Sequence, residues 1–166
     1  MVPIPEWRPN IKFFGGTFPS VSMATNEPSE SNLMRVDVEG RSKSPKRMTV
    51  ETAGTEFAVG EDASPLDFLL TAFAGCVNAT GHKVAGEMDV DLEDLEVSVG
   101  GEYDPAVFMG EERDERAGFQ AFEVDVDVET DADRETLETW LDEVERRCPV
   151  SDNLHDETPV SLTLDE

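Results

Sequence analysis

Leu66, Leu69, Leu70, Phe73 and Val77 recur at helical spacing directly after Ser64-Pro65, a capping serine with proline at the first helical position. This pattern predicts a long helix running to about Met88, its second half weakened by Gly81 and Gly86. Its first half has so few charges that it needs cover on most sides, as at a domain centre or a dimer interface. Phe122, Val124, Val126 and Val128 alternate strictly with Glu123, Asp125, Asp127 and Glu129, and Leu95, Val97 and Val99 alternate with polar residues. Both runs predict half-buried strands, separated by a charged loop over 100–118. A second helix, capped by Asp131 or Asp133, turns Leu137, Trp140, Leu141, Val144 and Cys148 inward and stops at Pro149.

The rest of the pattern is strand and extension. Leu33 to Glu39 partly alternates, Gly40 to Pro45 breaks the run, and Met48–Ala53 and Glu56–Val59 flank a Gly54-Thr55 turn, which predicts two or three antiparallel strands. Val160, Leu162 and Leu164 alternate with Ser161, Thr163 and Asp165, predicting a last strand that pairs back onto the sheet. Residues 1–32, rich in Pro, Gly, Ser and Thr, have no sustained period and read as an irregular extension, although Trp7, Phe13, Phe14 and Phe18 suggest that it packs on something. Strands, helix, strands, helix and strand make residues 33–166 one α+β domain with an antiparallel sheet.

Charge changes the picture of the surface. The 166 residues hold 38 Asp and Glu against 13 Lys and Arg, a formal net charge of -25, which repels nucleic acid and anionic membranes alike. The acids recur on every patterned segment, so they form a solvated shell on a folded chain. Such self-repulsion is screened by salt, and a salt-loving host is the expectation that follows. Met1 to Asn10 lack the basic start and apolar stretch of a signal peptide, and no apolar run is long enough to span a bilayer; a cytoplasmic location is expected.

In a reducing cytoplasm the two cysteines, Cys76 and Cys148, read as buried residues, metal ligands or redox centres before a permanent staple. Each lies on an apolar helical stripe, where a thiol is by default a small buried hydrophobe. A reactive thiolate needs a cation, and the basic cluster is Arg35, Arg41, Lys43, Lys46 and Arg47, with Arg41 named first and Lys83 a weaker choice on the helix itself. The same cluster also reads as a solvated hairpin turn. Zinc held by Cys76, Cys148, His82 and His155 is disfavoured, because six residues turn Cys76 and His82 to different sides of one helix. The charge runs 111–116 and 152–157 read as solvated loops.

The runs SPLDFLLTAFAGC, LEVSVGGEYD, CPVSDNL and TPVSLTL, in that order, resemble the OsmC/Ohr family of osmotically induced and organic-hydroperoxide-resistance proteins over about Leu33 to Leu164. The resemblance implies an OsmC-like fold, an intertwined homodimer with central long helices and sites at the subunit interface. It implies no cofactor. Cys76 would be the peroxidatic cysteine, forming a sulfenic acid with an organic hydroperoxide, and Cys148 the resolving cysteine that condenses with it to a disulfide. An external dithiol, a lipoyl-protein in the best-known branch, would restore both. One position departs: the peroxidase branches place Glu directly after the proline, to pair with an arginine of the N-terminal strands, and here Leu66 stands there with Asp67 one place later.

Three readings are therefore open. The first is a thiol-dependent hydroperoxide reductase of the stress response. The second is a non-catalytic dimeric module with an apolar ligand in its interface crevice, and in the third both cysteines are plain core residues. The charge generates its own prediction: thermal melting rises from low to molar salt, and a salt-independent melt would remove the salt-adaptation reading.

Overall fold

A helix start needs partners for its first amide groups, and Ser64 and Asp67 supply them reciprocally. In the computed structural model, which describes residues 33–60 and 63–164, the Asp67 amide donates to Ser64 Oγ (3.2 Å) and the Ser64 amide to Asp67 Oδ2 (2.7 Å). This capping box, with Pro65 next, opens helix α1 (Pro65–Glu87). The helix runs through Gly75, Gly81 and Gly86, and of these Gly81 has a close partner. A Cβ there would stand 3.0 Å from the Trp140 ring and 3.3 Å from Leu95, and the buried Trp140 Nε1–H donates to the Gly81 carbonyl at 2.9 Å. An indole N–H left unpaired in this core would cost about 1–3 kcal/mol, more than the ~1 kcal/mol helix penalty of one glycine.

Trp140 belongs to α2 (Arg134–Arg147), capped by the Asp133 carboxylate, which accepts from the Thr136 amide at 2.8 Å. α1 also packs on β4 (Asp94–Glu102), which pairs antiparallel with β5 (Ala121–Glu129). The register sets Leu95, Val97 and Val99 opposite Val128, Val126 and Val124, and on the other face Asp94 opposite Glu129 and Glu96 opposite Asp127. That outer face thus places like charges directly across from each other, an unfavourable arrangement that salt screens. The core consists of Phe73, Val77, Val84, Ala85, Trp140, Val144 and Cys148. Phe73, Phe122 and Phe119 continue it as an aromatic chain with centroid spacings of 6.0 and 5.0 Å.

A separate three-stranded sheet precedes the helix: β1 (Glu39–Ser44), β2 (Arg47–Thr52) and β3 (Thr55–Val59), in sequential antiparallel order. The first strand is shifted from expectation. Residues 33–38 carry no regular structure, and β1 occupies the stretch expected as a break, turning at Pro45-Lys46. The second turn is Ala53-Gly54, both at positive φ, one residue earlier than the Gly54-Thr55 expected. β1 is exposed throughout, and Met48 and Phe57 keep 41% and 44% exposure. All these elements belong to one compact unit beginning at Asp37, and the extension expected over 1–32 lies outside the described residues.

Two corrections concern the C-terminal part. The segment 149–155, expected as the end of a helix and a solvated loop, forms a third helix, α3 (Pro149–His155). The expected strand around Val160–Leu164 is extended but unpaired, and Val160, Leu162 and Leu164 are 84–95% exposed. Alternation alone does not make a strand, and among the described residues this segment pairs with none. No helix among the described residues is long and apolar enough to cross a membrane.

One ion pair ties the helix ends. Glu87, at the end of α1, accepts from Arg147 at the end of α2 and from Lys83. The Arg147 hydrogen bond first, and Lys83 second, hold its carboxyl down from 4.5 to about 2. A depressed carboxyl contributes stability that is full above 4.5 and is lost as pH falls toward about 2. Glu87→Gln is expected to lower the melting temperature near neutrality and to converge with the parent near pH 2; parallel acid melting curves would show that the pair contributes nothing.

Candidate active site

The two thiols, 72 residues apart in sequence, meet. Cys76 projects from α1 and is half-buried, three residues after the buried Phe73. Cys148 follows the last residue of α2 and is 1% exposed. The Trp140–Gly81 hydrogen bond and the Glu87–Arg147 pair join α2 to α1. Both are free thiols that interact directly. Burial pushes the Cys148 thiol up, and the neighbouring Cys76 side chain pushes the same way, so Cys148 keeps its proton and presents it to Cys76. The N–H groups of Ser151 and Val150 turn toward the Cys148 sulfur and partly oppose this, without closing a cap hydrogen bond.

Cys148 and Ser151 line an apolar groove of about 660 Å³ along α1, whose walls include Leu66, Leu69, Phe73, Val77, Phe122, Val126, Leu141 and Leu154. Its charged or titratable lining residues are Arg116, Glu145 and His155. From sequence His155 enters only in the disfavoured zinc reading, and Arg116 and Glu145 are not paired with the thiols at all. Arg116 sits in a charge run that reads as solvated loop, and only the fold shows its guanidinium lying over Gly118 at the groove. Ser151 had a usable signal: Cys148-Pro149 repeats the Ser64-Pro65 pattern of cap and proline that opened α1.

The other expected residues are placed elsewhere. Arg41 stands on β1, opposite Thr49 in the exposed arm, and does not line the groove of its own protomer. Lys83 pairs with Glu87 at 2.7 Å. The Asp67 carboxylate is committed to the helix cap, where the Ser64 hydroxyl and then its amide hold its pKa down. It therefore does not take the place of the missing glutamate. Among the described residues no three His, Cys, Asp or Glu side chains gather around a common metal position.

A long helix bearing one cysteine, a second helix ending at the other and an antiparallel hairpin now have a family. The OsmC-like protein model matches residues 58–163. The chain belongs to the OsmC-like family. Among solved structures it is similar to an OsmC-like protein from Mycoplasma pneumoniae, with 18% identity, TM-score 0.67, and coverage of 75% of this chain and 89% of that one. It is also similar to the organic hydroperoxide resistance protein OhrB of Bacillus subtilis, with 19% identity, TM-score 0.51, and coverage of 75% and 93%. An OsmC-like protein of Vibrio cholerae matches at 10% identity and TM-score 0.57, over 75% and 96%. At these identities the likeness shows the fold. Among curated proteins none matches the chain.

The unequal burial of the thiols has a direct consequence. In the native, reduced protein iodoacetamide is expected to label Cys76 well before Cys148, read by peptide mass spectrometry; labelling of Cys148 first would contradict the geometry.

Proposed function

We propose that this OsmC-like chain is a cytoplasmic thiol-dependent peroxidase that reduces organic hydroperoxides. The observation that carries the reading is the contact of a half-exposed thiol with a buried one that stays protonated beside it. Cys76, as thiolate, attacks the terminal oxygen of the hydroperoxide; the O–O bond breaks, the alcohol leaves with a proton, and Cys76 becomes a sulfenic acid. Cys148 then attacks the Cys76 sulfur. A disulfide forms, the S–O bond breaks, and the hydroxyl departs with the Cys148 proton as water. An external dithiol, a lipoyl-protein being the reductant class considered, reduces the disulfide by exchange.

The reading includes a homodimer. Among the described residues an open apolar groove, an arm with exposed Met48 and Phe57 and an unpaired alternating segment at 158–164 occur together. Reciprocal exchange between two copies would cover all three under two-fold symmetry. It would also carry Arg41 of one protomer to the thiols of the other, where a guanidinium favours a thiolate and a peroxide oxygen.

A second reading keeps the dimer without catalysis, the groove holding an apolar ligand. Leu66 in the position of the family glutamate, with Asp67 spent on the cap, favours it. One experiment separates the two: free thiols are counted by mass spectrometry after a few equivalents of cumene hydroperoxide at high salt. Loss of both thiols as a Cys76–Cys148 disulfide, abolished in Cys76→Ser, is expected. Two intact thiols together with a co-purifying apolar ligand would transfer the assignment to the binding module.

A further inference from the structure

The loop after β4 holds two large apolar side chains in water from an ordered base. The Asp104 carboxylate accepts from the Ala106 amide at 2.9 Å, with Pro105 between them, and so starts a helical turn. The Met109 amide continues the turn by donating to the Pro105 carbonyl at 3.0 Å. Gly110, at φ 89°, ends it: its amide donates to the Val107 carbonyl at 3.1 Å and the Glu111 amide to that of Ala106 at 2.9 Å, a closure that needs a left-handed residue. Ala106 is buried, and Tyr103 packs edge-on against the buried Phe119 at 5.7 Å, which ties the base down. Phe108 and Met109 project from it with 83% and 73% exposure. A turn closed at both ends orders them in advance, which lowers the entropic cost of docking.

The arm has a complementary face. Met48 lies opposite Val59 and Val50 opposite Phe57, so these four side chains share one side of the sheet, where Met48 and Phe57 are exposed. Cations border it. Lys83, Arg113, Arg134, Arg146 and Arg147 each pair with a glutamate, whereas Arg41, Lys43 and Lys46 of the arm make no ion pair among the described residues. The loop has the opposite sign: Glu112, Asp114 and Glu115 follow Phe108 and Met109, also without an ion pair among the described residues. Both apolar patches stay exposed in one protomer, so their pairing is a matter between copies.

We propose that Phe108 and Met109 of one copy form a knob that docks on the Met48 and Phe57 face of a second copy's arm, with the carboxylates after the knob meeting Lys43 and Lys46. Apolar burial supplies the affinity and persists in molar salt. Charge selects the arm over the outer face of β4 and β5, where Asp94, Glu96, Asp127 and Glu129 would repel the knob. The contact rests on the homodimer reading and extends it. Phe119, on which Tyr103 packs, also lines the groove, so an arm that carries Arg41 into the groove meets the loop that bears the knob.

The test places the contact directly. Phe108 is replaced by p-benzoylphenylalanine in the full chain, and light and heavy-isotope copies are mixed, left to exchange and irradiated at molar salt. Mixed-isotope cross-links into peptides covering 47–59 are expected; cross-links into other segments, or only within one copy, overturn the proposal. Sedimentation then measures the contact. Phe108→Ser with Met109→Ser is expected to weaken dimerisation at least tenfold, roughly the scale of one large apolar side chain returned to water. At low salt Glu112→Lys with Glu115→Lys weakens it as well, and adding Lys43→Glu with Lys46→Glu restores it; no restoration overturns the charge pairing. Near-ultraviolet circular dichroism of the buried Trp140 checks that each variant keeps its fold. A parent chain that sediments as a monomer at every salt concentration overturns the homodimer reading and the knob with it, whereas a dimer indifferent to the knob variants overturns the knob alone.

Discussion

The contact of Trp140 with Gly81 is the constraint from which the site follows. The ring occupies the space a Cβ would need and its N–H closes on the Gly81 carbonyl, so α2 can lie along α1 in only one register. Around that contact the buried Val144 and Cys148 continue the Trp140 side of α2, and Cys76 packs against the same core. The glycine that weakens a helix in isolation is here what permits the helix pair.

The protomer divides its apolar residues between two tasks. Phe73, Val77, Val84 and Ala85 build the core, while Leu66 and Leu69 stay half-buried along the groove. Met48 and Phe57 on the arm and Val160, Leu162 and Leu164 beyond α3 lack cover as well. Exposed apolar surface of this kind is what an interaction site presents.

Much of this was legible in the residues. Ser64-Pro65 located the start of α1, strict alternation located β4 and β5, and SPLDFLLTAFAGC with CPVSDNL pointed to the family. What escaped did so for physical reasons. A segment that stays unpaired among the described residues can have the alternation of a paired strand, so 160–164 could not be told apart from β5. Cysteine is not a usual cap, so Cys148-Pro149 read as a stop to α2 where it also starts α3. The groove lining by Arg116 and His155 is a product of the fold, with no periodic signal around either residue.

The acidic shell also bears on how copies of this chain meet. β4 and β5 pair only with each other, and among the described residues their outer edges stay open, as do those of β1 and β3. Open edges invite indiscriminate strand pairing and aggregation. A net charge of -25, with Asp94, Glu96, Asp127 and Glu129 arrayed on the hairpin itself, makes every such encounter repulsive unless apolar surface is buried with it. The charge that weakens the compact state thus acts as a gatekeeper against misassembly, and salt loosens that gate as it relieves the strain.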